Sequence, residues 1–292
     1  MDLNRFEQRA ALLGVLGVMV SRHGEVIAKR CWNEECRRNV YSASKSVTAC
    51  AVGMAIGEGL LTLEERLVDA FPGELPPDVS EGLSRAVVRD LLTMCLGQPE
   101  GQLMSAQRPL YGRGEWVRMV LEAPFTDLPG TRFVSSNVGP YLEGMLVQRR
   151  AGCDLVEYLM PRLFTPLGII RPTWETDPEG FTFGAGGLML TMTELHRFGQ
   201  MYLQGGMWNG QRLLDEKWTA ACMTNQTGEC CGKYGYGYLF WGGPHGSFRA
   251  DGKYGQLSII IPEKDAVMTV VAECRDTRAL SDAVWEELYP QL

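Results

Sequence analysis

Histidine is scarce: 292 residues contain three, His23, His196 and His245. A Ser-His-Asp triad has few places to form. No CxxC motif and no HExxH helix occurs, so a structural or catalytic zinc site has little support. The sequence implies no metal and no organic cofactor. Lysine is also rare, at 6 residues, and 28 basic residues face 35 acidic ones for a net charge of −7. With no basic stripe, nucleic acid and an anionic membrane surface are not expected partners. The N-terminal stretch MDLNRFEQRAALLGVLGVMV has Asp2 and Glu7 where a signal peptide needs positive charge, and its apolar part is short. No apolar run reaches the length of a membrane span. The expected location is the cytoplasm, where the nine scattered cysteines stay reduced. Internal repeats and low-complexity linkers are absent. The oligomeric state is not legible.

What remains is a well-patterned globular chain, 45% hydrophobic and long enough for one large domain or two lobes. Residues 4–13 suit a short amphipathic helix. GVLGVMVSRHGEVIAKRCW suits two strands around a turn at Arg22-His23-Gly24-Glu25. Residues 44–58 suit a buried apolar helix ended by Gly57 and Gly59. LTLEERLVDAFPGELPP, SRAVVRDLLTMCLG and GEWVRMVLEAPF each suit a helix. NVGPYLEGMLVQRRAG and DLVEYLMPRLFTPLG suit a helix pair, the second kinked by its prolines. MTELHRFGQMYLQGG and EKWTAACM suit two more helices. YGYGYLFW, GSFRADG, GQLSIIIP and DAVMTVVAEC are strand-like, and antiparallel pairing is the simplest arrangement. LSDAVWEELYPQ closes the chain as a helix.

The chemistry-bearing feature is Ser42-Ala-Ser-Lys45, a Ser-x-x-Lys pair at a helix start. Residues i and i+3 share a helix face. The serine hydroxyl can meet a cleft, and the helix N-terminus favours developing negative charge. A partly desolvated lysine loses its proton near neutral pH and acts as base. This activates a nucleophile without any histidine. Spacing alone is weak evidence, since 12 serines and 6 lysines give about 0.25 such pairs by chance in a chain of ordinary composition. A surface lysine beside a capped helix fits the same tetrapeptide.

The surroundings of the pair carry more weight. YSASKSVTA resembles the active-site helix of the serine beta-lactamase and penicillin-binding-protein family, especially its branch of class C beta-lactamases, esterases and 6-aminohexanoate-dimer-hydrolase-like amidases. The resemblance continues in order through RDLLTMCLG, LPGTRFVSSNVGPYLEGMLVQRRAG, FTPLGI, GAGGLMLTMTELHRFGQMYLQGGMWNGQRLL, YGYGYLFW and ADGKYGQLSIIIPEKDAVMTVV. It implies an α/β (α+β) fold of the beta-lactamase/transpeptidase type. An antiparallel sheet flanked by helices is expected from residues 1–60 and 176–292. An inserted all-α lobe is expected from 61–175, with the active site between the lobes.

Carried over residue by residue, the resemblance makes Ser42 the nucleophile and Lys45 its base. The second motif falls on Ser135-Ser136-Asn137. A serine replaces the tyrosine of the class C branch, so Ser135 would relay a proton and Lys45 would carry more of the base role. Asn137 would orient Lys45 and bind the substrate amide. Ser135 and Asn137 equally suit a capped helix start. The third motif aligns with Ala250-Asp251-Gly252, where the family's cation is missing; Arg249 and Lys253 flank it. These three residues would form the substrate-binding edge, and the N–H groups of Ser42 and Lys253 an oxyanion hole. ADGKYG also reads as a plain hairpin turn. His196 is expected on a surface helix and His245 in a solvated loop. Tyr234, Tyr236, Tyr238 and Trp241 are expected to pack, and one face of the group is available to line the pocket.

The reading is a serine hydrolase acting through an acyl-enzyme on small esters, linear amides or short peptides. A beta-lactamase or D-amino-acid peptidase is the alternative within enzymes. A non-catalytic binding protein on the same fold is the alternative outside them.

Overall fold

A computed structural model describes residues 1–112 and 114–292. After helix α1 (Asn4–Ala10), the alternating apolar run forms the expected hairpin of β1 (Val15–Arg22) and β2 (Glu25–Cys31), turned at His23-Gly24. Short strand β3 (Arg38–Asn39) leads through a 3-10 turn, Tyr41–Ala43, into α2 (Ser44–Gly57). Helices α3 (Leu67–Ala70), α4 (Glu81–Arg85), α5 (Val88–Leu92), α6 (Trp116–Glu122), α7 (Val138–Ala151) and α8 (Leu155–Leu159) follow. The chain then runs through β4 (Met189–Leu190), α9 (Met192–Leu203), the β5 (Met207–Trp208) and β6 (Gln211–Arg212) hairpin, and α10 (Glu216–Cys222). It ends with β7 (Trp241–Gly242), β8 (Phe248–Gly252), β9 (Gln256–Ile261), β10 (Ala266–Ala272) and α11 (Thr277–Ala283).

The main sheet has the order β2-β1-β10-β9-β8-β7 and is antiparallel throughout. Both chain ends therefore supply one sheet. Its central strands are buried on both faces, so β9 and β10 read as largely apolar runs broken only by the buried Gln256, Ser258 and Thr269. Leu257, Ile259 and Ile261 point to a core shared with α1 and α11. Ile260 belongs to a second, larger core that holds α2, α5, α7 and α9. No helix among the described residues is long and apolar enough to cross a membrane.

Three expectations about local structure fail for tertiary reasons. LTLEERLVDAFPGELPP is helical only at α3. Its backbone instead pairs across the chain: Leu67 N–H donates to Ala86 O at 2.9 Å, and Val88 N–H to Glu65 O at 3.0 Å. The same pairing draws Ala86-Val87 extended and splits SRAVVRDLLTMCLG into α4 and α5. YGYGYLFW is a tight loop rather than a strand, regular only at β7. Gly237 N–H closes onto Phe240 O at 2.9 Å, and Leu239 N–H reaches Leu92 O at 3.1 Å.

His196 is also misplaced by sequence reasoning. It lies wholly buried on the sheet side of α9, between Thr269 Oγ1 at 2.8 Å and Ser21 Oγ at 2.9 Å. The periodicity of α9 identifies an apolar face but not the polar patch of the sheet that it meets. Burial lowers the His196 pKa from 6.5 to about 4. A base whose folded pKa is depressed loses stability as pH falls from its unfolded value toward its folded one. Stability is therefore expected to decline between pH 6.5 and 4 by up to about 3 kcal/mol from this residue. Urea titrations across that range should show a shallower pH slope for His196→Gln than for wild type. Equal slopes would mean that the imidazole titrates as it does in the unfolded chain.

Candidate active site

The three serines of YSASKSVTA have separate positions. Ser44 Oγ donates to Tyr41 O at 2.6 Å and accepts from Leu188 N–H at 3.2 Å. Ser46 Oγ donates to Leu239 O at 2.7 Å. Both are buried and tie α2 to its surroundings. Ser42 is only partly buried, and among the described residues no group hydrogen-bonds its hydroxyl. It sits in the 3-10 turn ahead of α2, where its N–H has no acceptor within the turn. Tyr41 holds that turn with a left-handed backbone, φ 48°, an unfavourable conformation for a tyrosine. Asn39 Oδ1 accepts from Tyr41 N–H at 2.7 Å, and the Tyr41 ring packs edge-on against Tyr254 at 5.4 Å.

Lys45 lies one helical turn further along and is 6% exposed. Its Nζ donates to Ser136 O at 2.9 Å. Burial lowers its pKa from 10.5 to about 7. Desolvation is the cause, and among the described residues no carboxylate offsets it.

Ser136 is a residue that the sequence reading passed over. Its Oγ accepts from Gln102 N–H at 3.1 Å and Val138 N–H at 3.2 Å, which turns its carbonyl toward Lys45. The buried middle serine of Ser-Ser-Asn was the only available signal. Asn137 is brought to the same place but bonds elsewhere: its Nδ2 donates to Leu103 O at 2.9 Å. Its Oδ1 is buried with no partner among the described residues. It does not contact Lys45 through a hydrogen bond. Ser135 is exposed at the rim.

Ser42, Lys45, Ser135, Asn137, Asp251 and Lys253 all line one cavity of about 360 Å³. Ala250 and Gly252 do not. Ala250 is buried in β8, and Gly252 packs its backbone against Val40, where a Cβ would meet the Val40 carbonyl at 2.1 Å. That close approach brings the end of β8 beside the Ser42 turn. Arg249 stays off the cavity, held by Asp251 Oδ2 at 2.7 Å and Gly242 O at 3.0 Å. His245 is also off the wall and stacks on Tyr289 at 4.1 Å. Tyr236 and Trp241 reach the wall, while Tyr238 is buried against Trp218. The wall further includes Arg108, Glu175 and Phe183, which no local pattern marks. A larger hollow of about 600 Å³ lies beyond the β8–β9 turn; it shares Asp251 and Lys253 but holds neither Ser42 nor Lys45.

This geometry agrees with what the chain resembles. The Beta-lactamase family profile matches residues 4–288. A 6-aminohexanoate-dimer hydrolase from Paenarthrobacter ureafaciens is 24% identical over 298 residues, which is 92% of this chain and 75% of the relative. A solved structure from Bacillus anthracis, assigned as a 6-aminohexanoate-dimer hydrolase, superposes with a TM-score of 0.82 at 20% identity, over 96% of this chain and 80% of that one. The octameric penicillin-binding protein homologue from Pyrococcus abyssi superposes with a TM-score of 0.78 at 20% identity, over 99% of this chain and 78% of that one. Those two likenesses establish the shared fold; the family match across nearly the whole chain, with the hydrolase relative, makes this protein a serine hydrolase of the Beta-lactamase family.

Proposed function

We propose that the protein hydrolyses small esters, linear amides or short peptides through an acyl-enzyme on Ser42. The observation that carries this is the pairing, in one cavity, of a partly exposed serine hydroxyl with a fully enclosed lysine whose pKa is about 7. The site lies between a lobe of residues 1–60 and 176–292 and an inserted lobe of 61–175. Neutral Lys45 takes the proton as Ser42 Oγ bonds to the carbonyl carbon. The N–H groups of Ser42 and Lys253 receive the oxyanion. Ser135 at the rim relays that proton from Lys45 to the leaving oxygen or nitrogen, which leaves Lys45 neutral again. A water then attacks the acyl-enzyme, Lys45 again serving as base, and the acid departs. The relative from P. ureafaciens, a 6-aminohexanoate-dimer hydrolase by name, supports linear amides as substrates. The nine cysteines, all free thiols, suit a reducing compartment such as the cytoplasm.

The test is intact-protein mass after brief exposure to a p-nitrophenyl ester and, separately, to a penicillin. A Ser42-dependent acyl adduct from the ester is expected. An adduct from penicillin would favour the beta-lactamase or D-amino-acid peptidase reading and direct attention to Lys253 as the carboxylate partner. A Ser42→Ala protein that still acquires the adduct would refute the assignment. Absence of any adduct across an ester, amide and peptide panel would favour a binding protein on this fold.

A further inference from the structure

Among the described residues, five acidic or basic side chains line the cavity: Lys45, Arg108, Glu175, Asp251 and Lys253. Their partners differ. Lys45 donates to Ser136 O, and Asp251 is held by Arg249. Lys253 places its ammonium 4.8 Å from the Tyr254 ring centre. Arg108 and Glu175 pair with each other, Nη1 to Oε1, at 2.5 Å. The pair does not face the cavity evenly. The Arg108 side chain is 18% exposed and lies over the Phe183 ring at 4.3 Å, whereas Glu175 is 41% exposed. Among the described residues, Glu175 Oε2 has no hydrogen-bond partner. The pair thus buries its guanidinium and shows a carboxylate edge.

The fold holds that edge in place. Glu175 N–H donates to Gly187 O at 3.2 Å, and Phe183 N–H donates to Glu175 O at 2.8 Å. Gly187, also on the wall, makes room for the Glu175 carboxylate. A Cβ there would sit 2.7 Å from Oε2 and 2.2 Å from Glu175 Cβ, on a backbone with φ +83°. Any side chain at 187 would displace the carboxylate.

We propose that Glu175 is a specificity-determining residue that takes a cationic nitrogen of the substrate, the ammonium of an aminoacyl chain. This deepens the Ser42 reading and rests on it. An ammonium gains a charge-assisted hydrogen bond at Oε2 while Arg108 fixes Oε1. A substrate carboxylate meets repulsion at the same edge. Lys45 and Lys253 offer an ammonium no acceptor, and Asp251 is already engaged by Arg249, so among the described residues Glu175 is the wall carboxylate that remains for it.

The experiment compares two isosteric anilides, β-alanyl and butyryl p-nitroanilide, which differ by an ammonium for a methyl. Wild type is expected to favour the β-alanyl compound in kcat/KM by at least about tenfold, mostly through KM. Glu175→Gln should abolish that preference and Glu175→Asp should restore part of it. Binding of the same two compounds to Ser42→Ala, by calorimetry, reads the preference without turnover. There too the β-alanyl compound should bind more tightly, and adding Glu175→Gln should remove the difference. Failure of the nucleophile assignment appears separately, as butyryl anilide turnover retained in Ser42→Ala. Equal binding of the two compounds to Ser42→Ala, or a preference unchanged by Glu175→Gln, overturns the proposal. So does tighter binding of succinyl p-nitroanilide than of the β-alanyl compound.

Discussion

Ser42→Ala is expected to lower kcat/KM on any accepted ester or amide by about 10³-fold or more, with no measurable change in Tm. The activity loss follows from removing the atom proposed to form the covalent bond; in enzymes with a positioned nucleophile such losses run from about 10³ to 10⁶. The unchanged stability follows from the surroundings. The Ser42 hydroxyl is partly exposed and has no hydrogen-bond partner among the described residues, so its loss leaves no buried group unsatisfied. Ser44, two residues on, provides the contrast. It is fully buried and bonds Tyr41 O and Leu188 N–H, so Ser44→Ala belongs to the class of changes that cost stability. Steady-state kinetics and calorimetric unfolding on the same preparation separate the two effects. A Ser42→Ala protein with a lowered Tm and near-normal rate would make Ser42 a structural residue.

Lys45→Met is expected to reduce kcat/KM by about 10²–10⁴-fold and to hold or raise Tm. Wild-type kcat/KM should rise with pH through an apparent pKa near 7, because the base must be neutral and burial places its titration there. Lys45→Met should lack that limb. The stability sign follows from the same burial. The folded pKa of about 7 lies below the unfolded value of 10.5, so between those pH values the unfolded chain binds more protons. Stability from this residue is fully present above pH 10.5 and is lost as pH falls to 7. At neutral pH the lysine is thus a cost that the fold carries, and methionine, of similar length and apolar, removes it. One carbonyl, Ser136 O, loses its donor in exchange. Rates from pH 5.5 to 9, with thermal melts at pH 7.5, check both parts. A Tm lower by more than about 10 °C would identify Lys45 chiefly as a strut, since a drop of that size in a chain of this length is several kcal/mol.

These predictions draw on two kinds of information. Ser-x-x-Lys is local: the 3-10 turn Tyr41–Ala43 runs straight into α2, so residues i and i+3 across the junction stay neighbours whatever surrounds them. The β1–β2 hairpin, α9 and strands β8 to β10 were legible for the same reason, since turn residues and short-range periodicity determine them. The ordered resemblance along the chain was legible too, and it placed Ser42, Lys45, Ser135, Asn137, Asp251 and Lys253 around what proves to be one cavity.

The partners across the cavity were not legible. Lys45 meets a carbonyl 91 residues away, and Arg108 meets Glu175 at a separation of 67. No periodicity encodes such pairings. Nor did VGPYLEGMLVQRRAG disclose that Glu143 is fully enclosed, both carboxylate oxygens without a partner among the described residues and its pKa pushed up by burial. Burial of polar groups depends on which surfaces meet, as His196 between Ser21 and Thr269 also shows. The sequence by itself marked Ser42 and Lys45 as the candidate nucleophile and base, and the elements that carry them, because those follow from local spacing at one helix start. Only the tertiary structure decided the pKa of that base, its hydrogen-bond acceptor and the charged wall opposite, because desolvation and contact arise when distant segments pack together.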